Sequence, residues 1–134
     1  MLLTKASEYA LLSLILICEK DVPQDVDTLS TQLGISKSFL AKILQSLARE
    51  KILKSFKGTK GGFMLATTPE ELTLKSIIES AEKKQTKVFE CSTPESKCPS
   101  GKEEFCKILP ILSKLQMKID LFLDKITLKD ITEN

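Results

Sequence analysis

The 134-residue chain has no histidine, no tryptophan and a single tyrosine. Without histidine it lacks the commonest general base, the Ser–His and Cys–His nucleophile pairs, and every His-containing metal site. No base–nucleophile constellation remains, so the sequence does not read as an enzyme. Aromatic residues make up only 5%, which argues against base stacking on single strands as the main activity. Long apolar runs are missing too. The longest, Tyr9 to Cys18, is broken by Ser13 and bracketed by Glu8 and Glu19; a bilayer needs about 20 residues. No basic leader ending in a small-residue cleavage site is visible. The expected location is therefore cytoplasmic, with no membrane partner. In that compartment the four cysteines are expected to be free, metal-bound or redox-active rather than structural disulfides.

What is present is distributed unevenly. The formal net charge is only +2. Between Thr31 and Met64, however, Lys37, Lys42, Arg49, Lys51, Lys54, Lys57 and Lys60 face Glu50 alone. The rest of the chain is mildly acidic. A concentrated basic stretch is what a phosphate-binding surface needs, although solvated lysines alone would give the same run. The length fits one domain with its own core.

The patterning predicts a mainly α chain with one small β-hairpin. Residues 5–19 read as a helix apolar nearly all round, hence buried on more than one side, with a partner subunit as one possible cover. Asp27 or Thr28 is placed to cap a short helix ending at Leu33, and Gly34 to terminate it. Ser36 caps a third helix, residues 37–50, with Phe39, Leu40, Ile43, Leu44 and Leu47 inward. Two short strands around the tip Gly58-Thr59-Lys60-Gly61-Gly62 form a hairpin over residues 52–66. Thr73 caps a fourth helix from Leu74 to about Lys84. Residues 85–104 are polar and too long for an idle loop. Phe105, Ile108, Leu112, Leu115, Ile119, Phe122 and Ile126 then recur at heptad spacing, the narrow seam of a helix pair, with Pro110 in the first turn. Thr127-Leu128-Lys129-Asp130 reads as a capped turn.

Leu29 to Ile43 fits a helix-turn-helix: Leu29 and Leu33 apolar, Ser30 small at the close approach, and Gly34 where the turn needs positive φ. The second helix would offer Lys37, Ser38, Ala41, Lys42 and Gln45 to a major groove. The basic, glycine-rich hairpin that follows can lie along phosphates or enter a minor groove. Three helices and a basic hairpin make a winged helix. A protein-interaction adaptor built on the same fold is the reading from another class.

Cys91, Cys98 and Cys106 are spaced C-x6-C-x7-C in the segment before the heptad helix. No pair has the C-x2-C spacing of a zinc knuckle. Three thiolates can hold an iron–sulfur cluster, with the fourth position taken by another ligand. A redox disulfide pair, zinc and incidental thiols stay open as alternatives. Cys18, inside the first helix, reads as core.

The chain resembles the bacterial winged-helix iron–sulfur regulators, the family of IscR and NsrR, over residues 1–131. The resemblance rests on Leu3-Thr4-Lys5 with Tyr9-Ala10-Leu11, on Gly34-Ile35-Ser36 with Phe39-Leu40, and on the wing Gly58-x-x-Gly61-Gly62-Phe63-x-Leu65-Ala66. The three cysteines and the closing Ile126-Thr127-Leu128-Lys129-Asp130-Ile131 also match. It implies a winged helix-turn-helix domain over residues 1–84, a cluster loop over 85–106, and a dimerisation helix and tail over 107–134. It further implies a homodimer on double-stranded palindromic operator DNA, acting as a repressor. The sensing element would be a 4Fe–4S or 2Fe–2S cluster responding to nitric oxide, redox state or iron–sulfur status; oxygen can strip such a cluster, so aerobic preparation is expected to lose it. The metal ligands would be Cys91, Cys98 and Cys106, with Glu8 from the second subunit, as in nitric-oxide-sensing members. The expected DNA contacts are Lys5, Ser36, Lys37, Ser38, Phe39, Lys42, Lys57, Gly58, Thr59, Lys60 and Gly61. The chain departs from the family at several points. Its cysteine spacings are slightly longer than usual, it has no histidine after the third cysteine, Leu2 stands where a basic residue is common, Ala41 replaces a recognition-helix glutamate, and Lys57 stands where an arginine fork is common, which weakens base discrimination there. A cluster-free thiol–disulfide switch is the alternative within the same class.

Overall fold

The computed structural model describes residues 3–93, 97, 101 and 106–133. Cys98 and Phe105 lie outside the described residues. Helix α1, Lys5–Cys18, starts at Thr4, whose hydroxyl accepts from the Ala6 N–H. It touches α2 (Val26–Leu33), α3 (Lys37–Arg49), α4 (Leu74–Glu82), α6 (Leu128–Thr132) and the second hairpin strand of its own chain. That central position accounts for the burial of Ala10, Leu14 and Ile17, while Leu12 stays exposed. Its two buried serines need internal partners, and Ser13 finds one by donating to the Tyr9 carbonyl at 2.7 Å.

The cap of α2 is Asp25, not Asp27 or Thr28. Asp25 accepts from the Thr28 N–H at 3.1 Å and from its hydroxyl at 2.5 Å, while Asp27 points out to an ion pair with Lys37. Gly34 sits at φ 66° and reverses the chain, as expected for a residue that tolerates the left-handed region. Ser30 does more than leave space: its hydroxyl donates to the Ile35 carbonyl across the turn. Ser36 caps α3 through the Phe39 N–H, and Leu40, Ile43, Leu44 and Leu47 are buried beneath it. Phe39 is not among them.

Strands β1 (Leu53–Phe56) and β2 (Gly62–Leu65) pair antiparallel, with Leu53 opposite Leu65 and Phe56 opposite Gly62. Thr73 caps α4. Helix α5, Leu109–Lys125, carries Pro110 in its first turn, where a missing N–H is harmless. Thr127 and Asp130 form a reciprocal capping box for α6. The core is one cluster in which Leu14, Leu29, Leu40, Leu44, Leu47, Ile77 and Leu128 are fully enclosed, each contributing about 1.5–3 kcal/mol of burial. This mainly helical fold with a two-stranded wing is the one the sequence predicts.

Candidate nucleic-acid interface and cysteine loop

The outward face of α3 carries Ser38, Phe39, Lys42, Gln45 and Arg49, all exposed, with Ala41 half-buried beside them. Its first lysine is engaged: Lys37 Nζ lies 2.7 Å from Asp27 Oδ1. Lys42, further along the same face, is open to solvent. Phe39 packs edge-on against Tyr9 of α1, with ring centroids 5.6 Å apart and planes at 83°. Lys5 donates to Glu8 Oε2 at 2.8 Å, and its ammonium stands 5.8 Å from the Tyr9 ring centroid. The Glu8 carboxylate raises the Lys5 pKa above its ordinary value. Both ion pairs are exposed, so they are weak and readily exchanged for a phosphate.

The hairpin tip presents Lys57, Gly58, Thr59 and Lys60 to solvent, with Gly61 half-buried. Its base is fixed by a feature absent from the sequence reading. Gln24 and Phe63 exchange both backbone hydrogen bonds, at 3.0 and 2.9 Å, so the loop before α2 adds a one-residue bridge to the wing. Gly62 makes that possible. Its φ is 148° and a Cβ there would fall 2.5 Å from the Gln24 carbonyl. The wing is thereby tied to the start of the helix-turn-helix.

The cysteine segment is anchored at its beginning. Gln116, in the middle of α5, is 3% exposed. Its Nε2 donates to the Thr86 carbonyl at 2.9 Å and to Asp120 Oδ1 at 3.0 Å. Its Oε1 accepts from the Val88 N–H and the Ser92 hydroxyl, both at 2.7 Å. Buried amides require such full satisfaction. Periodicity alone does not reveal this residue; a polar side chain on the flank of an apolar stripe was the available signal. Lys75 of α4 adds a link, 3.9 Å from Asp120 and 3.8 Å from Asp124.

Cys91 is buried beside this network, and Cys106 is half-buried just before α5. Both are free thiols, as is Cys18. Burial pushes the Cys18 thiol up, which keeps it protonated and a poor metal ligand. Glu8 is exposed and paired with Lys5. Among the described residues no three cysteine or carboxylate side chains converge to hold a metal. The expected four-ligand set is therefore not assembled within them: Cys98 lies outside, and Glu8 is expected from a second chain. The donor chemistry, soft thiols without histidine, suits iron–sulfur rather than harder metal sites.

Ser7, one residue before Glu8, donates to Glu82 Oε1 at 2.5 Å, and Thr4 donates to the same oxygen through its hydroxyl and its N–H. Burial alone would raise the Glu82 pKa, but these donors outweigh it and hold the carboxyl below its ordinary range. Glu82 thus joins the start of α1 to the end of α4, where the cysteine segment begins.

On α5 the heptad positions divide. Ile108 just before it and Leu115 and Phe122 within it are 62%, 42% and 62% exposed, whereas Leu112 and Ile119 are half-buried. Gln116 and Leu123 face the domain. Most of the apolar stripe is left uncovered by its own chain.

A capped helix-turn-helix, a lysine-tipped wing and a long appended helix define a winged-helix DNA-binding transcriptional regulator. The family model described as "Rrf2: Iron-dependent Transcriptional regulator" matches residues 3–134, and the chain belongs to the Rrf2 family. NsrR, a helix-turn-helix transcriptional regulator of Halalkalibacterium halodurans, is 27% identical, over 100% of this chain and 92% of its own length. Among solved structures, CymR, the global cysteine regulator of B. subtilis, superposes with a TM-score of 0.74 at 21% identity, covering 98% of this chain and 95% of that one. IscR of T. potens gives 0.74 at 20% identity, with 98% and 85% covered. These relatives are transcriptional regulators, not enzymes. No helix among the described residues is long and apolar enough to cross a membrane.

Proposed function

We propose that the chain is a homodimeric repressor whose affinity for a palindromic operator is set by an iron–sulfur cluster held by Cys91, Cys98 and Cys106, with Glu8 of the partner subunit as the fourth ligand. The observation that carries this reading is a histidine-free trio of cysteines in a chain that matches a family model described as iron-dependent. When bound, the cluster would supply iron that reacts with nitric oxide or oxygen. The chain's own groups do the rest. Gln116 and Ser92 hold the beginning of the cysteine segment against α5. Ser7 and Glu82 fix the turn of α1 that carries Glu8. A carboxylate is a weaker ligand for such a metal than a thiolate, so Glu8 would be the weakest of the four ties. The uncovered stripe of α5 is the dimer face, and Lys5, Ser36, Lys37, Ser38, Phe39, Lys42 and the wing residues 57–61 face DNA.

A second reading keeps DNA binding and replaces the cluster by thiol–disulfide exchange. It is favoured by the free thiols of Cys91 and Cys106. Anaerobic purification with iron and sulfide separates the two. The cluster reading expects a brown protein whose visible absorption bleaches with nitric oxide while operator affinity falls. Loss of colour in Cys91→Ala and Cys106→Ala, and its retention in Cys18→Ala, are part of that expectation. A colourless protein whose operator binding changes with oxidant and returns with dithiothreitol would replace it by the thiol switch.

A further inference from the structure

The exposed stripe of α3 contains one side chain that water does not favour. Phe39 is 40% exposed, between Ser38 and Lys42 on the face that carries no other large apolar group. It is not loosely placed. Tyr9 holds one edge of the ring from behind in an edge-to-face contact, the geometry aromatic quadrupoles prefer. The capped Phe39 N–H fixes its backbone in the first turn, the part of a recognition helix that reaches base edges first.

A hydrocarbon ring has one complementary feature on the major-groove edges of the bases, the C5-methyl of thymine. The first turns of α3 carry no arginine fork to compete with it, and Gln45 lies about two turns further along. No arginine occurs in α3 before Arg49, so the two-pronged guanine contact is missing from its first turns. Lys42 is a point charge and Ser38 accepts several bases.

We propose that Phe39 is a base-reading residue that selects thymine by packing on its methyl group. The proposal rests on the reading that α3 lies in the major groove. The test starts from duplexes selected by the wild-type protein from a random library. Each thymine of the selected sequence is replaced in turn by deoxyuridine, which deletes only the methyl. One or two positions are expected to lose about fourfold in affinity, the worth of one methyl-sized group removed from water. Phe39→Ala should bind the parent duplex more weakly and treat thymine and deoxyuridine alike; Phe39→Leu should keep part of the discrimination. Full affinity of the wild type for every deoxyuridine duplex overturns the proposal while leaving groove insertion intact. Equal methyl discrimination by Phe39→Ala overturns it as well. Failure to select any duplex removes groove insertion itself, and the proposal with it.

Discussion

The backbone N–H of Val88 donates to the side-chain carbonyl of Gln116 at 2.7 Å, so one amide on α5 replaces the secondary structure that residues 86–92 lack. A Gln116→Leu substitution keeps the bulk and removes the acceptor. Leaving such a buried donor unpaired costs about 1–3 kcal/mol. The unfolding free energy from urea titration should fall by that amount, and the Val88 amide should exchange faster with deuterium. Unchanged protection at Val88 would show that the segment is held by other means.

Glu82 connects stability to pH. Its folded-state pKa lies below the ordinary carboxylate value, because the Ser7 and Thr4 donors outweigh burial. The stabilisation is therefore present above the ordinary value and is lost as pH falls through the depressed one. Thermal melts of the wild type should decline on the acid side of about pH 4.5. Glu82→Gln should be less stable at pH 7 and decline less steeply below it. Parallel acid limbs for the two proteins would count against this role.

The wing lysines and the wing glycine should fail differently. Replacing Lys57 and Lys60 with alanine should leave stability within about 0.5 kcal/mol. The slope of log affinity against log salt should flatten by about 0.9 per lost phosphate contact. Gly62→Ala instead forces a Cβ into the Gln24 backbone at positive φ. It should cost about 1–3 kcal/mol of stability and weaken DNA binding without that change in slope per lysine. A double lysine variant with wild-type affinity and slope would remove the wing from the DNA.

The apolar stripe of α5 gives a test by sedimentation. Leu115→Glu places a charge in the middle of an otherwise apolar face. Burial of an unpaired charge is expensive, so the protein should sediment as a monomer and lose tight binding to a duplex with two half-sites. A Leu115→Glu dimer would put the subunit contact elsewhere.

Much of the architecture was legible because it follows local rules. Ser36, Thr73 and Thr127 cap helices as their positions predict, and Gly34 turns between α2 and α3 with the expected positive φ. The misplaced α2 cap has a local cause as well: Asp25, Asp27 and Thr28 are all competent, and the Lys37 ion pair draws Asp27 outward. Non-local contacts were not legible. Nothing in the pattern around Gln24 announces a bridge to Phe63, and nothing near Glu82 announces Ser7, 75 residues away. Phe39 was misjudged as inward because helical periodicity places it at the edge of the apolar arc, where the direction of one ring depends on Tyr9. For the candidate site, the cysteine spacing was legible, but the amide that anchors their segment sits 24 residues beyond Ser92.

The stitch at the far end of α5 has a mechanical meaning. Leu74 donates to the Ile126 carbonyl at 2.8 Å and Leu128 to the Leu72 carbonyl at 2.9 Å, while Leu128 is sunk in the core. The helix is clamped at this root like a cantilever, and its 17 residues project about 25 Å towards the tip that carries Cys106. Gln116 lies near mid-span, where its amide ties the helix to Thr86, Val88 and Ser92. A tilt of about 5° at the root sweeps the tip through roughly 2 Å over such an arm. A displacement of that size at the start of α5 therefore corresponds to only a small rotation where the helix joins the winged domain.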